Sequence, residues 1–247
     1  MFPLMHIKIV KDITGYLTDE LIVGSLLPDV LRLIGCDWSK SHQIAKVIGK
    51  TSEKCSDVVI GALLHGEDPP GVDYFSDVSF RGIPWGWAFY RAWNYINKYL
   101  YIRVPRGLMP WIFHNMVEAS VDMFLYETWK REIISHIVDV YSWKVDWEKL
   151  AVMLERNGIF IQRDLKGAYV EYLSLSLSRY VTRQCFIKSL YEITRRKFYR
   201  HGISVNLPLA LYREIWENIY GDGDMLYDEF VKESYPVIET TYKEWCV

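Results

Sequence analysis

The chain has 247 residues, of which 50% are hydrophobic and 15% aromatic, and its formal net charge is −2. This length and apolar content can supply the core of one large domain or two small ones, and they exclude global disorder. A charge so close to zero gives no long-range attraction for nucleic acid or for an anionic lipid surface.

Neither a disulfide scaffold nor a membrane-spanning segment is expected. The four cysteines are widely scattered and none lies in a C-x-x-C pair, so we expect reduced thiols. No apolar run approaches about 18 residues, and the N-terminal residues carry charges without a cleavage pattern. The sequence therefore predicts a cytoplasmic protein without a transmembrane segment, for which peripheral membrane contact stays open; it leaves the oligomeric state undetermined.

Hydrophobic residues recur with helical spacing along almost the whole chain, and alternating strand patterns are scarce. We therefore predict an all-α protein, with a metal-binding helical domain over 1–145 and a C-terminal helical region over 146–247 packed on it, unless both form one domain. The first expected helix spans about 18–34 and is interrupted at Pro28. The next begins at a cap, Ser39 or Ser41, and runs through Ile48. The remaining expected helices span 53–65, 110–141, 146–157, 164–200, 207–220 and 223–245.

Two segments between the helices stand out. Residues 66–86 break any helix and contain three aspartates, and loops of this length are often functional. Residues 85–101 carry eight aromatic side chains. We favour core packing for that aromatic segment, the alternative being the wall of a ligand pocket or a membrane-contacting surface.

The segment Trp111–Trp129 places three polar residues on one stripe of an otherwise apolar helix. His114, Glu118 and Asp122 follow one another at intervals of four residues, so they share a helix face. A helix that is apolar on nearly every side is buried, and buried carboxylates need a compensating partner. A divalent cation is one such partner, whereas the alternative is a His-Glu pair beside a capped or salt-bridged Asp122.

The other histidines strengthen the metal hypothesis. Of six histidines in the chain, His6, His42, His65 and His114 all precede residue 115, where aspartates are interspersed among them. Imidazole and carboxylate ligands without thiolates suit Zn, Mn, Fe or Ni.

Several short motifs in this half resemble one known family. They are the run 24–29 (GSLLPD), Ser41-His42, the run 61–65 (GALLH), and His114-x3-Glu118 followed by Asp122. In order and spacing they are similar to the zinc-dependent phospholipase C family and its fold relatives, the single-strand-specific zinc nucleases. The resemblance covers about residues 1–125 and implies an α-helical bundle, with the C-terminal helices as an extension.

The resemblance also implies a set of ligands. Asp29, His42 and His65 would hold one metal, with Asp68 or Asp73 as the bridging carboxylate. His114 and Glu118 would hold a second metal, and His6 would take the N-terminal histidine position.

Two departures from the family pattern limit the number of ions. No histidine occurs between Gly66 and Phe113, where the family has one, and the chain begins Met1-Phe2 instead of with the family's tryptophan. A carboxylate can replace an imidazole, so we expect Asp73 or Asp122 to complete the second position. The sequence therefore predicts one or two tightly held ions, with zinc first and Mn, Fe or Ni as alternatives.

These ligands indicate a metal-dependent hydrolase of phosphoester bonds, acting on a small phosphoester or a phospholipid. A metal-activated water would be the nucleophile, with Asp29 as its general base, and the loop 66–86 with Trp85 and Trp87 would shape the substrate cleft. One alternative is a non-catalytic helical metal-binding protein. Another is a His-Asp-type metal phosphohydrolase using His42, His65 and Asp122, which ranks lower because no histidine here is followed by aspartate.

Overall fold

The computed structural model describes residues 2–48, 56–101, 104–129, 131–161, 164–177, 180, 182–199, 203 and 207–246. Helices dominate these residues, so the predicted all-α class is confirmed. The α-helices are α1 (Pro3–Thr14), α2 (Asp19–Leu33), α3 (Trp38–His42), α4 (Ile44–Ile48), α5 (Asp57–His65), α6 (Trp87–Ile96), α7 (Met109–Thr128), α8 (Arg131–Val138), α9 (Trp147–Arg156), α10 (Leu165–Leu177), α11 (Arg183–Tyr199), α12 (Leu209–Tyr220) and α13 (Gly223–Cys246).

The predicted loop 66–86 has local structure of its own. A π-helical turn spans Tyr74–Val78, and it leads directly into the two-stranded antiparallel hairpin of β1 (Ser79–Phe80) and β2 (Ile83–Pro84). Ser79 lies opposite Pro84 in this hairpin. The loop therefore folds back on itself and holds its aspartates in fixed positions.

Some predicted helix boundaries differ from the observed ones. Pro28 does not interrupt α2, which is continuous over Asp19–Leu33. The helix predicted over 110–141 divides because Trp129 adopts an extended conformation, with ψ of 142°. The helix predicted over 164–200 is described as α10 and α11, and residues 53–55 of the predicted fifth helix lie outside the described residues.

A close crossing of α2 and α5 fixes the base of the site. A Cβ atom added to Gly61 would lie 2.5 Å from the carbonyl oxygen of Leu21 and 2.6 Å from the amide nitrogen of Ser25, so only glycine permits this approach. Asp29 near the end of α2 and His65 at the end of α5 are thereby brought to one place. Close backbone packing explains the small residues that precede His65.

The remaining helices enclose this pair. Helix α7 contacts α1, α6, α12 and α13, and α10 packs against α2. Buried residues from 1–145 and from 146–247 belong to the same hydrophobic cluster. Within the described residues, no helix combines the length and hydropathy needed to cross a lipid bilayer.

Candidate metal centre

Five separate elements place imidazoles and carboxylates around one point, which we call the inner cluster. Its members are buried side chains that come from α1, α2, α3, α5 and the residue that precedes the π-helical turn: His6, Asp29, His42, His65 and Asp73. Their potential ligand atoms form two overlapping groups, one of His6, His65 and Asp73 and one of Asp29, His42 and His65, in which all atoms lie within 4.8 Å of one another.

Asp73 lies at the centre of the inner cluster. Its Oδ2 atom is 3.1 Å from Nε2 of His42 and 3.2 Å from Nε2 of His65, and its Oδ1 atom is 3.5 Å from Nε2 of His6. One carboxylate thus faces three imidazoles.

Hydrogen bonds determine which ring nitrogen of His42 and of His65 faces the inner cluster. The carbonyl of Ser25 can only accept, so the Nδ1 atom of His65, 2.6 Å away, donates to it. The Nδ1 atom of His42 lies 2.8 Å from the hydroxyl of Ser41 and 3.2 Å from the carbonyl of Trp38. Both histidines therefore present Nε2 inward, towards the carboxylate of Asp73. A backbone carbonyl that accepts from one ring nitrogen fixes this tautomer in metal-binding histidines and leaves the other nitrogen for the metal.

The electrostatics of the inner cluster show how it behaves without a cation. Burial alone would lower the pKa of His65, but the Asp73 carboxylate raises it above its usual value. Burial would raise the pKa of Asp73, yet the charge of His65 holds it well below its usual value. Burial and the neighbouring His65 lower the pKa of His6 to about 3, so that imidazole is neutral and free to bind a metal.

Asp29 is held from the C-terminal half of the chain. Tyr172 of α10 donates a hydrogen bond of 2.7 Å to Oδ2 of Asp29, and both side chains are buried. Although burial opposes it, nearby positive charge, including that of His65, lowers the pKa of Asp29 below its usual value. Asp29 is therefore an ionised carboxylate whose orientation is set by a tyrosine hydroxyl.

A second group, the outer cluster, consists of Asp77, His114 and Glu118. Nε2 of His114 lies 2.7 Å from Oδ1 of Asp77 and 3.3 Å from Oε1 of Glu118, and the hydroxyl of Ser76 donates to Glu118. His114 and Glu118 are one turn apart on α7, while Asp77 comes from the π-helical turn. Because Asp73 immediately precedes that turn, the same short segment supplies a carboxylate to each cluster.

The outer cluster has strongly perturbed protonation. Burial raises the pKa of Asp77 to about 6, with the negative charge of Glu118 adding to the effect of burial. Burial alone would lower the pKa of His114, but Glu118 and Asp77 raise it to about 10. A positive charge in this position compensates the two carboxylates, as a metal cation would.

Seven of the residues predicted as ligands lie in these clusters, and two lie elsewhere. The seven are His6, Asp29, His42, His65, Asp73, His114 and Glu118. Asp68 instead pairs with Lys46 at 2.6 Å on the protein surface, where both side chains are about half exposed. Of the two candidate bridging carboxylates, Asp73 is therefore the one in position.

Asp122 also lies outside the clusters, which corrects its prediction as a ligand. Its Oδ1 atom accepts a hydrogen bond of 2.7 Å from the amide of Met5, and its Oδ2 atom accepts one from the hydroxyl of Tyr180. Asp122 thus joins α1 to α7. The ligand set of a His-Asp-type phosphohydrolase, which needs Asp122 beside His42 and His65, is not assembled.

Aromatic residues border the outer cluster on one side. The ring of Phe89 stacks on His114 with centroids 4.3 Å apart, and Trp85 and Trp111 pack at its edge. Trp85 is 55% exposed, whereas Trp87 is fully buried against Phe230. Trp87 therefore belongs to the core, which corrects its prediction as a cleft residue, while the aromatic segment as a whole is divided between core and surface.

Sequence reasoning missed two residues of the site, Asp77 and Tyr172. Asp77 lies four residues after Asp73, so a helical turn over this segment would place both on one face. That spacing could have identified Asp77 if the segment had been predicted to be helical. Tyr172 carries no sequence signal, because its contact with Asp29 spans 143 positions in the chain.

No protein-family model, curated protein or solved structure matches this chain. The chemistry assigned to these residues therefore depends on their own geometry.

Proposed function

We propose that this chain is a metal-dependent hydrolase of phosphoester bonds, with chemistry similar to that of the zinc-dependent phospholipase C family. The observation that carries the proposal is the convergence of the buried Nε2 atoms of His42 and His65 on Oδ2 of Asp73, at 3.1 and 3.2 Å. Buried imidazoles and carboxylates directed at one point are costly to assemble without a compensating positive charge, which a divalent cation supplies.

The donor set fits zinc at the inner cluster. His42 and His65 supply imidazole nitrogens and Asp29 and Asp73 supply carboxylate oxygens, which are ligand types that zinc accepts in tetrahedral sites. Thiolates take no part in any of the described groups. We propose one tightly held ion here and one at the outer cluster, with the position beside His6 bound more weakly.

When bound, a divalent ion lowers the pKa of a coordinated water and neutralises charge that develops on a phosphoryl oxygen. Asp29 would help to hold this ion and would accept a hydrogen bond from the attacking water, the role of a general base. Because the pKa of Asp29 is low, its basicity alone is weak, so the acidity of the water has to come from the ion.

The substrate approaches from the side of the outer cluster. The side chains of Asp77 and Glu118 are 21% and 14% exposed, whereas those of His42 and His65 are fully buried. Trp85 and Trp111 present exposed aromatic surface beside this opening, suited to the apolar part of a small phosphodiester or a phospholipid.

Hydrolysis of bis-p-nitrophenyl phosphate and p-nitrophenyl phosphate tests the proposal. Metal-free protein, reconstituted with Zn, Mn, Fe or Ni, should hydrolyse the diester faster than the monoester and should lose activity on chelation. Asp29→Asn should lower the diester rate at least ~100-fold, because it removes an anionic ligand and a proton acceptor. His136→Ala is the matched control, because the side chain of His136 is half exposed and pairs with Asp19, away from both clusters.

A non-catalytic metal-binding protein is the second candidate, and one observation favours it. The inner cluster is enclosed, and structural zinc sites are closed whereas catalytic ones keep an open position. If metal binds with the expected ligands but no phosphomonoester, phosphodiester or phospholipid is hydrolysed with any of these metals, this candidate replaces the hydrolase.

A further inference from the structure

The inner and outer clusters differ in the chemistry of their donor atoms. The inner cluster has three imidazoles and two carboxylates, whereas the outer cluster has His114 alone with the carboxylates of Asp77 and Glu118. Imidazole nitrogen suits zinc, and carboxylate and water oxygens suit manganese and magnesium. The two clusters therefore differ in the ion that each would prefer.

The two clusters also differ in their exposure to water, in a way that favours the same assignment of ions. Manganese and magnesium ions retain several water ligands when they bind proteins, so they need an open coordination sphere. Asp77 and Glu118 reach the surface, while the Nε2 atoms of His42 and His65 are sealed from solvent. The carboxylates of the outer cluster are therefore more exposed than the side chains of His6 and Asp73 in the inner cluster, which are 8% and 9% exposed.

The outer cluster is also built as a defined site and not as a chance group of surface acids. His114 is buried, with its ring fixed between Phe89 on one face and the edge of Trp111. Ser76 orients Glu118 by donating to its carboxylate. Three elements of the fold thus hold one nitrogen and two oxygen donors in a fixed arrangement.

We propose that the two clusters bind different ions, zinc at the inner cluster and manganese at the outer cluster. This inference rests on the proposed function only in that both clusters must bind a cation. Asp77 is the residue that determines the difference, since an imidazole in its place would give the outer cluster two nitrogen donors.

Sequential loading of metal-free protein tests the inference. One equivalent of zinc is added first, manganese is then titrated, and bound manganese is measured by electron paramagnetic resonance. We expect one bound manganese per chain with the zinc retained. Glu118→Gln should abolish the manganese signal, and Asp77→His should replace manganese binding by a second zinc bound at least ~10-fold more tightly than in the unaltered chain.

Asp68→His is the matched control, because Asp68 is a surface aspartate of the same loop that belongs to neither cluster. It should leave both metal affinities unchanged. The inference is overturned if zinc binds but manganese does not, or if manganese binding is the same in Asp77→His as in the unaltered chain. A protein that binds neither ion would contradict the proposed function as well.

Discussion

The hydroxyl of Tyr172 connects the ligand-poor C-terminal half to the metal centre, and its removal gives a sharp test of the site. Tyr172→Phe deletes the donor of a 2.7 Å hydrogen bond to Asp29 and leaves a buried carboxylate oxygen with one contact fewer. A hydrogen bond to a charged group contributes about 1.5–3 kcal/mol. Loss of a group that orients a metal ligand typically lowers metal affinity about 10–100-fold, or roughly 1.4–2.8 kcal/mol.

Tyr169→Phe provides a control on the same helix. Tyr169 is equally buried and donates a 2.7 Å hydrogen bond to the carbonyl of Val23, a neutral group outside both clusters. Both variants should lower the melting temperature, because each leaves a buried acceptor without its donor. Only Tyr172→Phe should weaken zinc binding.

Isothermal titration of metal-free protein with zinc, in competition with a chelator of known affinity, is the assay. Circular dichroism of each variant confirms that it folds. Equal zinc dissociation constants for Tyr172→Phe and Tyr169→Phe would refute the reasoning that Tyr172 positions a ligand.

Three further predictions concern residues around the clusters. Burial raises the pKa of Asp122 to about 7, so its contribution to stability is fullest below pH 4 and is lost as pH rises towards 7. Asp122→Asn should remove this pH dependence between pH 4 and 7, measured by denaturant unfolding, and leave metal content unchanged. Lower metal content in Asp122→Asn would restore it as a ligand. Gly86→Ala should displace the segment that carries Asp77, because the added Cβ would lie 2.2 Å from the carbonyl carbon of Ser76. Manganese binding should therefore fall by more than zinc binding, and an equal loss of both would contradict this expectation. His65→Ala should lower zinc content and melting temperature together, and unchanged zinc content would remove His65 from the inner cluster.

The local part of the site could be predicted from the sequence. His114 and Glu118 are one helical turn apart, so the period of α7 alone places them side by side. Asp122 shares the same stripe, but it lies eight residues from His114, which is about 12 Å along a helix axis. Lying on the same helix face therefore did not make Asp122 a metal ligand. Its carboxyl group instead accepts hydrogen bonds from the amide of Met5 and the hydroxyl of Tyr180.

The non-local part depended on folding of the loop 66–86. Asp68 and Asp73 were equivalent candidates in a segment without regular periodicity. The π-helical turn that follows Asp73 directs Asp73 and Asp77 inward, whereas Asp68 stays at the surface with Lys46. The spacing of hydrophobic residues over the whole chain predicted the helical class. The π-helical turn is a local conformation that hydrophobic spacing does not predict.

The central claim is that a divalent cation joins His42, His65 and Asp73. An anomalous difference map recorded at the zinc absorption edge, from crystals of the zinc-loaded protein, measures this directly. We predict a peak about 2.0–2.1 Å from the Nε2 atoms of both histidines, with a carboxylate oxygen of Asp73 at a similar distance. Absence of a peak at the inner cluster in crystals of protein that has taken up zinc would contradict the claim.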